Sequence, residues 1–149
     1  MKTSPRATFT TEELRPVTEA LRELDICMLT SRSGEALHSR PMSNNRQVEY
    51  DGDTWFFAFR DSRLAREVEA DPHISLGYAA SERGVWLAME AEAELVDDAD
   101  EKRDRWFDEL DRWFPDGPED PNVTLIRAGA TRVRSWGAAG DLDLRPRQS

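Results

Sequence analysis

Cysteine is almost missing from this chain, since Cys27 is the only one among 149 residues. A single cysteine excludes an intrachain disulfide and suits a reducing compartment. Apolar runs are short as well: none exceeds five residues, whereas a membrane-spanning helix needs roughly 20. The first ten residues contain no apolar stretch of the kind found in a signal peptide. We therefore expect a cytoplasmic protein without a membrane partner.

Lysine is also scarce, and the overall charge is acidic. Lys2 and Lys102 are the only lysines, and 30 acidic against 20 basic side chains give a formal net charge of −10. Affinity for a nucleic-acid backbone comes from clustered Lys and Arg, so this balance opposes nucleic-acid binding. It opposes docking to anionic lipid for the same reason.

The sequence signatures of common catalytic centres are missing. There is no GxSxG, HExxH, CxxC, GxGxxG or GxxxxGK[ST] motif. His38 and His73 are the only histidines, too few to form a zinc site without carboxylates. Their pattern is more typical of structural or surface residues, and no metal site is predicted. If the protein does chemistry, we expect a bound cofactor to supply it.

The segment 51–71 carries the strongest positive signal. Asp51-Gly52 is typical of a hairpin turn, and the five apolar residues over 55–59 predict a strand that is buried on both faces. Ser62 is a good helix cap. It precedes an apolar stripe at helical spacing, formed by Leu64, Ala65 and Val68. Because a helix start binds anions and Arg63 adds donors suited to phosphate, this junction is a candidate phosphate site. The alternative is a solvated arginine in a capped helix.

A second candidate ligand segment is Ser39-Arg40-Pro41-Met42. Arg40 lies at the end of a predicted strand, and Pro41 holds the chain after it rigid. In this interpretation Arg40 and Arg63 meet around one phosphate. The local sequence alone favours the alternative, an exposed loop arginine.

The hydrophobic pattern predicts six strands, over 26–30, 37–42, 55–59, 73–78, 85–95 and 123–136. The last strand is expected to break near Ala128-Gly129. A first helix over 11–24 is expected to be regular only after Pro16. A long helix over 97–114 carries an aromatic face that is typical of core or of a subunit contact. Short turns between strands favour a small antiparallel barrel in one domain, with its core at about 11–137 and a disordered tail over 145–149.

Several motifs occur together in a characteristic order: MLT, SRPM, DGDTWFFAFRDS, REVEADPHISLGYA, AELVDD and RWFPDGPEDPNVTLIR. From about residue 24 to residue 136 the chain resembles the general-stress-protein group of the pyridoxamine 5′-phosphate oxidase-like superfamily. The resemblance implies a mainly β fold, a six-stranded antiparallel split β-barrel with flanking helices. It also implies a homodimer with flavin sites in the two grooves of the dimer interface. The expected cofactor is FMN, with FAD or another flavin-like ligand as alternatives.

The resemblance implies eight flavin-binding positions, namely Arg40, Pro41, Met42, Phe57, Ala58, Ser62, Arg63 and Trp136. It places Arg40, Ser62 and Arg63 around the flavin phosphate. The strand that contains Phe57 and Ala58 passes the isoalloxazine ring. Trp136 approaches the ring from the closing strand, either within its own subunit or across the dimer.

Three positions depart from the family pattern. Leu64 stands where relatives often carry lysine, Ala58 where some place a hydroxyl, and Asn45 where the oxidases have a second basic residue. The C-terminal segment RVRSWGAAGDLDL lacks the histidine of the true oxidases, so we do not expect pyridoxamine-phosphate oxidation. Three functions stay open: a flavin-dependent oxidoreductase linked to general stress, a flavin-binding protein without turnover, and a dimeric barrel that has lost the site.

Overall fold

Antiparallel strand pairing organises the part of the chain that the structure describes. The computed structural model describes residues 8–44 and 49–147. Its strands are β1 (Ile26–Ser33), β2 (Ala36–Ser43), β3 (Asp53–Phe59), β4 (His73–Ala80), β5 (Val85–Val96), β6 (Val123–Gly137) and β7 (Leu142–Leu144). The helices are α1 (Thr11–Leu21), α2 (Arg63–Ala70) and α3 (Ala99–Arg105). The strands follow the order β2-β1-β4-β5-β6-β3, and β7 pairs with β6. This confirms the predicted antiparallel split β-barrel with flanking helices. All six predicted strands are present and slightly longer than predicted.

The two buried faces of β3 divide the interior into two apolar clusters. Phe56 and Ala58 point into the main core, which α1 and α2 cover. Phe57 points the other way, into a smaller aromatic cluster. Its ring lies edge-on to Trp106, with 5.1 Å between ring centroids. The prediction that this strand is buried on both faces is therefore confirmed, and the reason is that each face meets a different part of the chain.

The first helix differs from its prediction at its start. It was expected to be regular only after Pro16, but α1 begins at Thr11 and contains this proline. Thr10 and Glu13 form a capping box, in which Thr10 Oγ1 accepts from the Glu13 N–H and the Glu13 carboxylate accepts from the Thr10 N–H. Proline removes one backbone hydrogen bond, but this cap and the buried apolar face of α1 offset that loss.

The predicted long helix over 97–114 is wrong in its second half. Helix α3 ends at Arg105, and Trp106 and Phe107 have extended backbone. A short 3-10 turn over Asp108–Arg112 follows. The break lets the aromatic side chains of this segment converge on Phe57, as Trp106 and Phe114 do. Tertiary packing here outweighs the helical preference of the local sequence.

The closing strand is longer and more regular than predicted. A break was expected near Ala128-Gly129, but β6 continues from Val123 to Gly137. The register shifts further along, because Glu90 pairs with Arg132 while Ala91 pairs with Ala130. Thr131 is thus the extra residue of a bulge. In the tail, where disorder was expected over 145–149, residue Arg147 pairs with Thr8.

Candidate functional site

An apolar cleft lies where the two ends of the strand order approach one another. Among the described strands, β2 pairs only with β1 and β3 only with β6, so each keeps one free edge. The cleft has a volume of about 540 Å³, which is within the usual range for small-molecule sites. Three predicted site residues line it, namely Pro41, Met42 and Phe57. The structure therefore brings Phe57 together with Pro41 and Met42, which lie 15 or more positions before it in the sequence.

Aromatic side chains of the segment after α3 form the opposite wall of this cleft. These residues are Phe107, Trp113 and Phe114, and Leu110 lies among them. Trp113 is 67% exposed and stands at the cleft mouth. The rim is polar and carries Asp25, Glu109 and Arg112. Such a site suits a flat, largely apolar ring system with a few polar edges. The sequence had indicated that these aromatic residues are core or a subunit contact, so their place in the cleft wall was missed.

Ala58, a predicted site residue, is not among the residues that line the cleft. Side chains alternate along a strand, and that of Ala58 is 7% exposed and packs in the main core. Its neighbour Phe57 faces the cleft. A hydroxyl-bearing side chain at position 58 would point into the core, away from the cleft that Phe57 lines.

The predicted helix start forms directly after β3. Ser62 caps α2, because its Oγ accepts from the Ala65 N–H at 3.2 Å. Arg63 is the first helical residue and is exposed. Leu64 is 7% exposed and belongs to the main core, so the position where relatives often carry lysine faces inward here. Arg63 is thus the basic side chain that this helix start presents to solvent in its first turn.

Arg40 lies against the other half of α2. Its Nη1 donates to Ser31 Oγ at 2.6 Å, and its Nη2 lies 3.3 Å from Glu67 Oε1. The same carboxylate accepts from Ser31 Oγ at 2.5 Å and from His38 Nδ1 at 2.8 Å. We call these four residues (Ser31, His38, Arg40 and Glu67) the Glu67 network. Burial raises the pKa of Glu67, but the hydrogen bonds from Ser31, His38 and Arg40 outweigh burial and leave this pKa below its usual value.

Sequence reasoning missed Glu67 altogether. It lies on the buried face of α2, together with Leu64, Ala65 and Val68. A charged residue within that apolar stripe is the signal that could have been noticed, because a buried carboxylate needs partners. Its partners could not be named without knowing which strand packs under the helix. The third departure, Asn45, lies outside the described residues.

Trp136 lies far from the other predicted positions in the same chain. Ala58 pairs with Thr124 near the start of β6, and Trp136 is twelve residues further along that strand. At about 3.3 Å per residue this is roughly 40 Å of strand path. Trp136 is 43% exposed and pairs with Trp86 of the neighbouring strand β5. Trp136 is also not among the residues that line the cleft, so the structure does not bring it to the cleft of its own chain.

An exposed apolar face connects the cleft with Trp136. Ile26 lines the cleft and is 53% exposed, and Met28 beside it is 47% exposed. Small residues continue this face across β4 and β5, where Gly77 pairs with Ala88. We call this surface the apolar face; it comprises Ile26, Met28, Gly77, Ala79, Trp86, Ala88 and Trp136. Arg134 pairs with Ala88 and lies beside Trp136 on the same side of the sheet, so this face carries one positive charge. An exposed surface that is mainly apolar is typical of an interaction site.

Other reactive groups give no sign of a second centre. Among residues 8–44 and 49–147, no group of three or more His, Cys, Asp or Glu side chains is placed to hold a metal ion. Cys27 is buried, and burial raises the pKa of its thiol to about 11, which suits the packed, inert thiol expected from the sequence. In the described part of the chain no helix has the length and apolar character needed to cross a membrane.

Comparison with known proteins identifies the family. The model of the family described as "Pyridoxamine 5′-phosphate oxidase like" matches residues 12–143. The chain belongs to this family, as its motifs had indicated. It is 29% identical over 103 residues to general stress protein 26 of Bacillus subtilis, which covers 66% of this chain and 73% of that relative.

Solved structures agree with the fold. General stress protein 26 of Bacillus anthracis has a TM-score of 0.75 at 21% identity and covers 88% of this chain and 96% of its own. A protein of Xanthomonas citri described as a general stress FMN/FAD binding protein has a TM-score of 0.73 at 23% identity. That alignment covers 94% of this chain and 98% of the Xanthomonas chain. At these identities the likeness establishes the split β-barrel fold.

Proposed function

We propose that this protein binds FMN in the cleft between β2 and β3, as a homodimer, and serves as a flavin-dependent oxidoreductase linked to general stress. The observation that carries the proposal is the aromatic cleft lined by Pro41, Met42 and Phe57, of which Phe57 lies on the strand that leads into α2. The cleft offers a place for a flat ring, and the helix start offers donors for a phosphate. Family membership and the Xanthomonas protein described as FMN/FAD binding support the same ligand.

The ring end of the ligand would lie against Pro41, Met42 and Phe57. The free edges of β2 and β3 carry backbone N–H and C=O groups that suit the polar edge of an isoalloxazine ring. The aromatic wall around Phe57 excludes water from the ring. When bound, a flavin supplies hydride or electron transfer, and the protein supplies position and a dry environment.

The phosphate end would be held by Ser62 and Arg63, together with Arg40. The start of α2 presents free N–H groups and the positive end of the helix dipole. Arg63 is exposed and adds a planar set of donors. The Arg40 side chain is 23% exposed, so part of it stays accessible to a ligand while its guanidinium contacts Ser31 and Glu67.

A second copy of this chain would cover the apolar face. Trp136 cannot reach the cleft within its own chain, yet it lies on the same exposed surface as Ile26, which lines the cleft. A twofold dimer uses one patch on both subunits. Pairing through the apolar face would bring Trp136 of one subunit towards the cleft of the other. The proposed flavin site is then complete only in the dimer.

One observation favours a different candidate, a barrel that has lost its flavin. Leu64 is buried and Glu67 offsets part of the charge of Arg40, so the phosphate end has fewer free positive charges than the family pattern suggests. A flavin-binding protein without turnover is the third possibility. Reduction of bound flavin by NADH or NADPH separates it from an oxidoreductase.

The cleft is tested by titrating FMN and riboflavin and following quenching of flavin fluorescence. Trp113→Ala removes a ring from the cleft mouth, so we expect weaker binding of both ligands by a similar factor. Leu37→Ala is the matched control, because Leu37 is also 67% exposed but lies outside the cleft. Equal affinities in wild type and Trp113→Ala would remove the cleft as the flavin site.

A further inference from the structure

The charge of Arg40 is tied to a buried acid. One nitrogen of its guanidinium donates to Ser31 Oγ at 2.6 Å, and another lies 3.3 Å from Glu67 Oε1. Ser31 and Glu67 are nearly inaccessible, with 1% and 7% of their surfaces exposed. The Arg40 side chain is 23% exposed. The guanidinium is therefore fixed by two buried partners, while part of the Arg40 side chain stays accessible to a ligand.

Glu67 acts on Arg40 in two opposite ways. Together with Ser31 it holds the guanidinium in one orientation, which prepares Arg40 for an anion. Its negative charge also offsets the positive charge of Arg40, which weakens the attraction for any anion. The single charges of Arg40 and Glu67 are opposite and cancel as a pair. A buried carboxylate so close to the guanidinium is little screened by salt.

We propose that Glu67 is a positioning and specificity-determining residue of the phosphate end, which orients Arg40 and limits how tightly that end holds an anion. The proposal rests on the proposed flavin function, because it assigns Arg40 to the ligand phosphate. The Glu67 network then makes binding depend more on the ring and less on the phosphate. FMN, which has a phosphate group, and riboflavin, which lacks one, should therefore differ less in affinity than they would if Arg40 and Arg63 acted without Glu67.

Glu67→Gln separates the two effects. Glutamine keeps the length and an oxygen that can accept from Ser31 and Arg40, but it removes the negative charge. We expect the ratio of FMN affinity to riboflavin affinity to rise about tenfold, which is the scale of one charge-assisted contact. Glu69→Gln is the matched control, because Glu69 lies on the same helix but is exposed. It should leave the ratio near its wild-type value.

A double-mutant cycle shows whether Glu67 acts through Arg40. In the Arg40→Gln background, Glu67→Gln should no longer raise the affinity ratio. A purely structural role for Glu67 would change the thermal midpoint without changing this ratio. If Glu67→Gln does not fold, Glu67→Met removes the same charge with an apolar side chain of similar length. The inference is overturned if wild type, Glu67→Gln and Glu69→Gln share one affinity ratio.

Inorganic phosphate provides a probe that does not depend on the ring. Phosphate binding, followed by phosphorus NMR, should be tighter in Glu67→Gln than in Glu69→Gln. In the Arg40→Gln background, Glu67→Gln should no longer tighten phosphate binding. If this happens while neither FMN nor riboflavin binds, the flavin function fails and the inference about Glu67 stands. If flavin binds but neither the affinity ratio nor phosphate binding responds to Glu67→Gln, the inference fails and the flavin function stands.

Discussion

Replacing Arg63 tests the phosphate end of the proposed site. Arg63 begins α2 immediately after the cap Ser62, and its side chain is exposed. Arg63→Gln keeps the length and some donors but removes the positive charge. We expect FMN affinity to fall while riboflavin affinity stays the same, because only FMN carries the phosphate. A protein that loses its fold would instead lose both ligands.

The magnitude follows from the exposure of Arg63. A contact between a charged donor and a phosphate is worth about ten- to a hundredfold in affinity. Because Arg63 is in solvent, screening places the effect at the lower end, so we expect about tenfold. The loss should be larger at low ionic strength than at about 0.15 M salt, where charges interact over only about 8 Å.

The assay is a pair of fluorescence titrations with FMN and riboflavin at two salt concentrations. Arg66→Gln serves as the matched control, since Arg66 lies on the same helix and is also exposed, but one turn further from the start. The reasoning is refuted if Arg63→Gln and Arg66→Gln reduce FMN affinity equally. It is refuted as well if Arg63→Gln weakens riboflavin and FMN by the same factor.

The remaining predictions concern stability, assembly and pH. Phe56 is fully buried in the main core, so Phe56→Ala should lower the free energy of unfolding by about 3–5 kcal/mol in urea titrations. Trp136→Ala should weaken dimerisation, measured by analytical ultracentrifugation, and flavin binding together. Burial raises the pKa of the Cys27 thiol to about 11, above its usual value of about 8.5. The folded state therefore favours the protonated thiol. The contribution of this thiol to the free energy of unfolding should be lost as pH rises from about 8.5 to 11. The pKa of Glu67 is lowered, so its contribution should be present above about pH 4.3 and lost as pH falls through the folded pKa.

Each of these predictions has a result that would contradict it. Leu37→Ala, on the surface, should change stability by less than about 0.5 kcal/mol; a loss similar to that of Phe56→Ala would contradict the assigned core. If the Trp136→Ala variant dimerises and binds flavin as wild type does, the apolar face is not the dimer interface. Cys27→Ala should reduce the pH dependence of the free energy of unfolding between about pH 8.5 and 11. Glu67→Gln should reduce it below about pH 4.3. Unchanged profiles would show that these groups titrate alike in the folded and unfolded states.

Local patterns were sufficient to predict the parts of the fold that depend on nearby residues. The apolar run over 55–59 and the cap at Ser62 correctly predicted a strand buried on both faces followed directly by α2. The segment 97–114 was predicted incorrectly, because its aromatic side chains pack on Phe57 from an extended backbone and a 3-10 turn. The helical spacing of those residues is real, but contacts distant in sequence decide the conformation.

The site was only partly predictable for a related reason. Motif resemblance named Met42 and Phe57, which the structure places in one cleft. Glu67 was not named, because its role depends on α2 packing over β1 and facing Arg40. The separation of Trp136 from the cleft depends likewise on the length of β6. Such relations between elements arise from topology, and a single sequence does not state them.

The most direct test of the central claim is the visible absorbance spectrum of the purified protein after loading with FMN and desalting. The account predicts retained flavin bands with about one FMN for each chain, carried by a species of dimeric size. A protein that is folded and dimeric but passes all FMN through the column would contradict the claim. The cleft between β2 and β3 would then belong to a split barrel that does not hold a flavin.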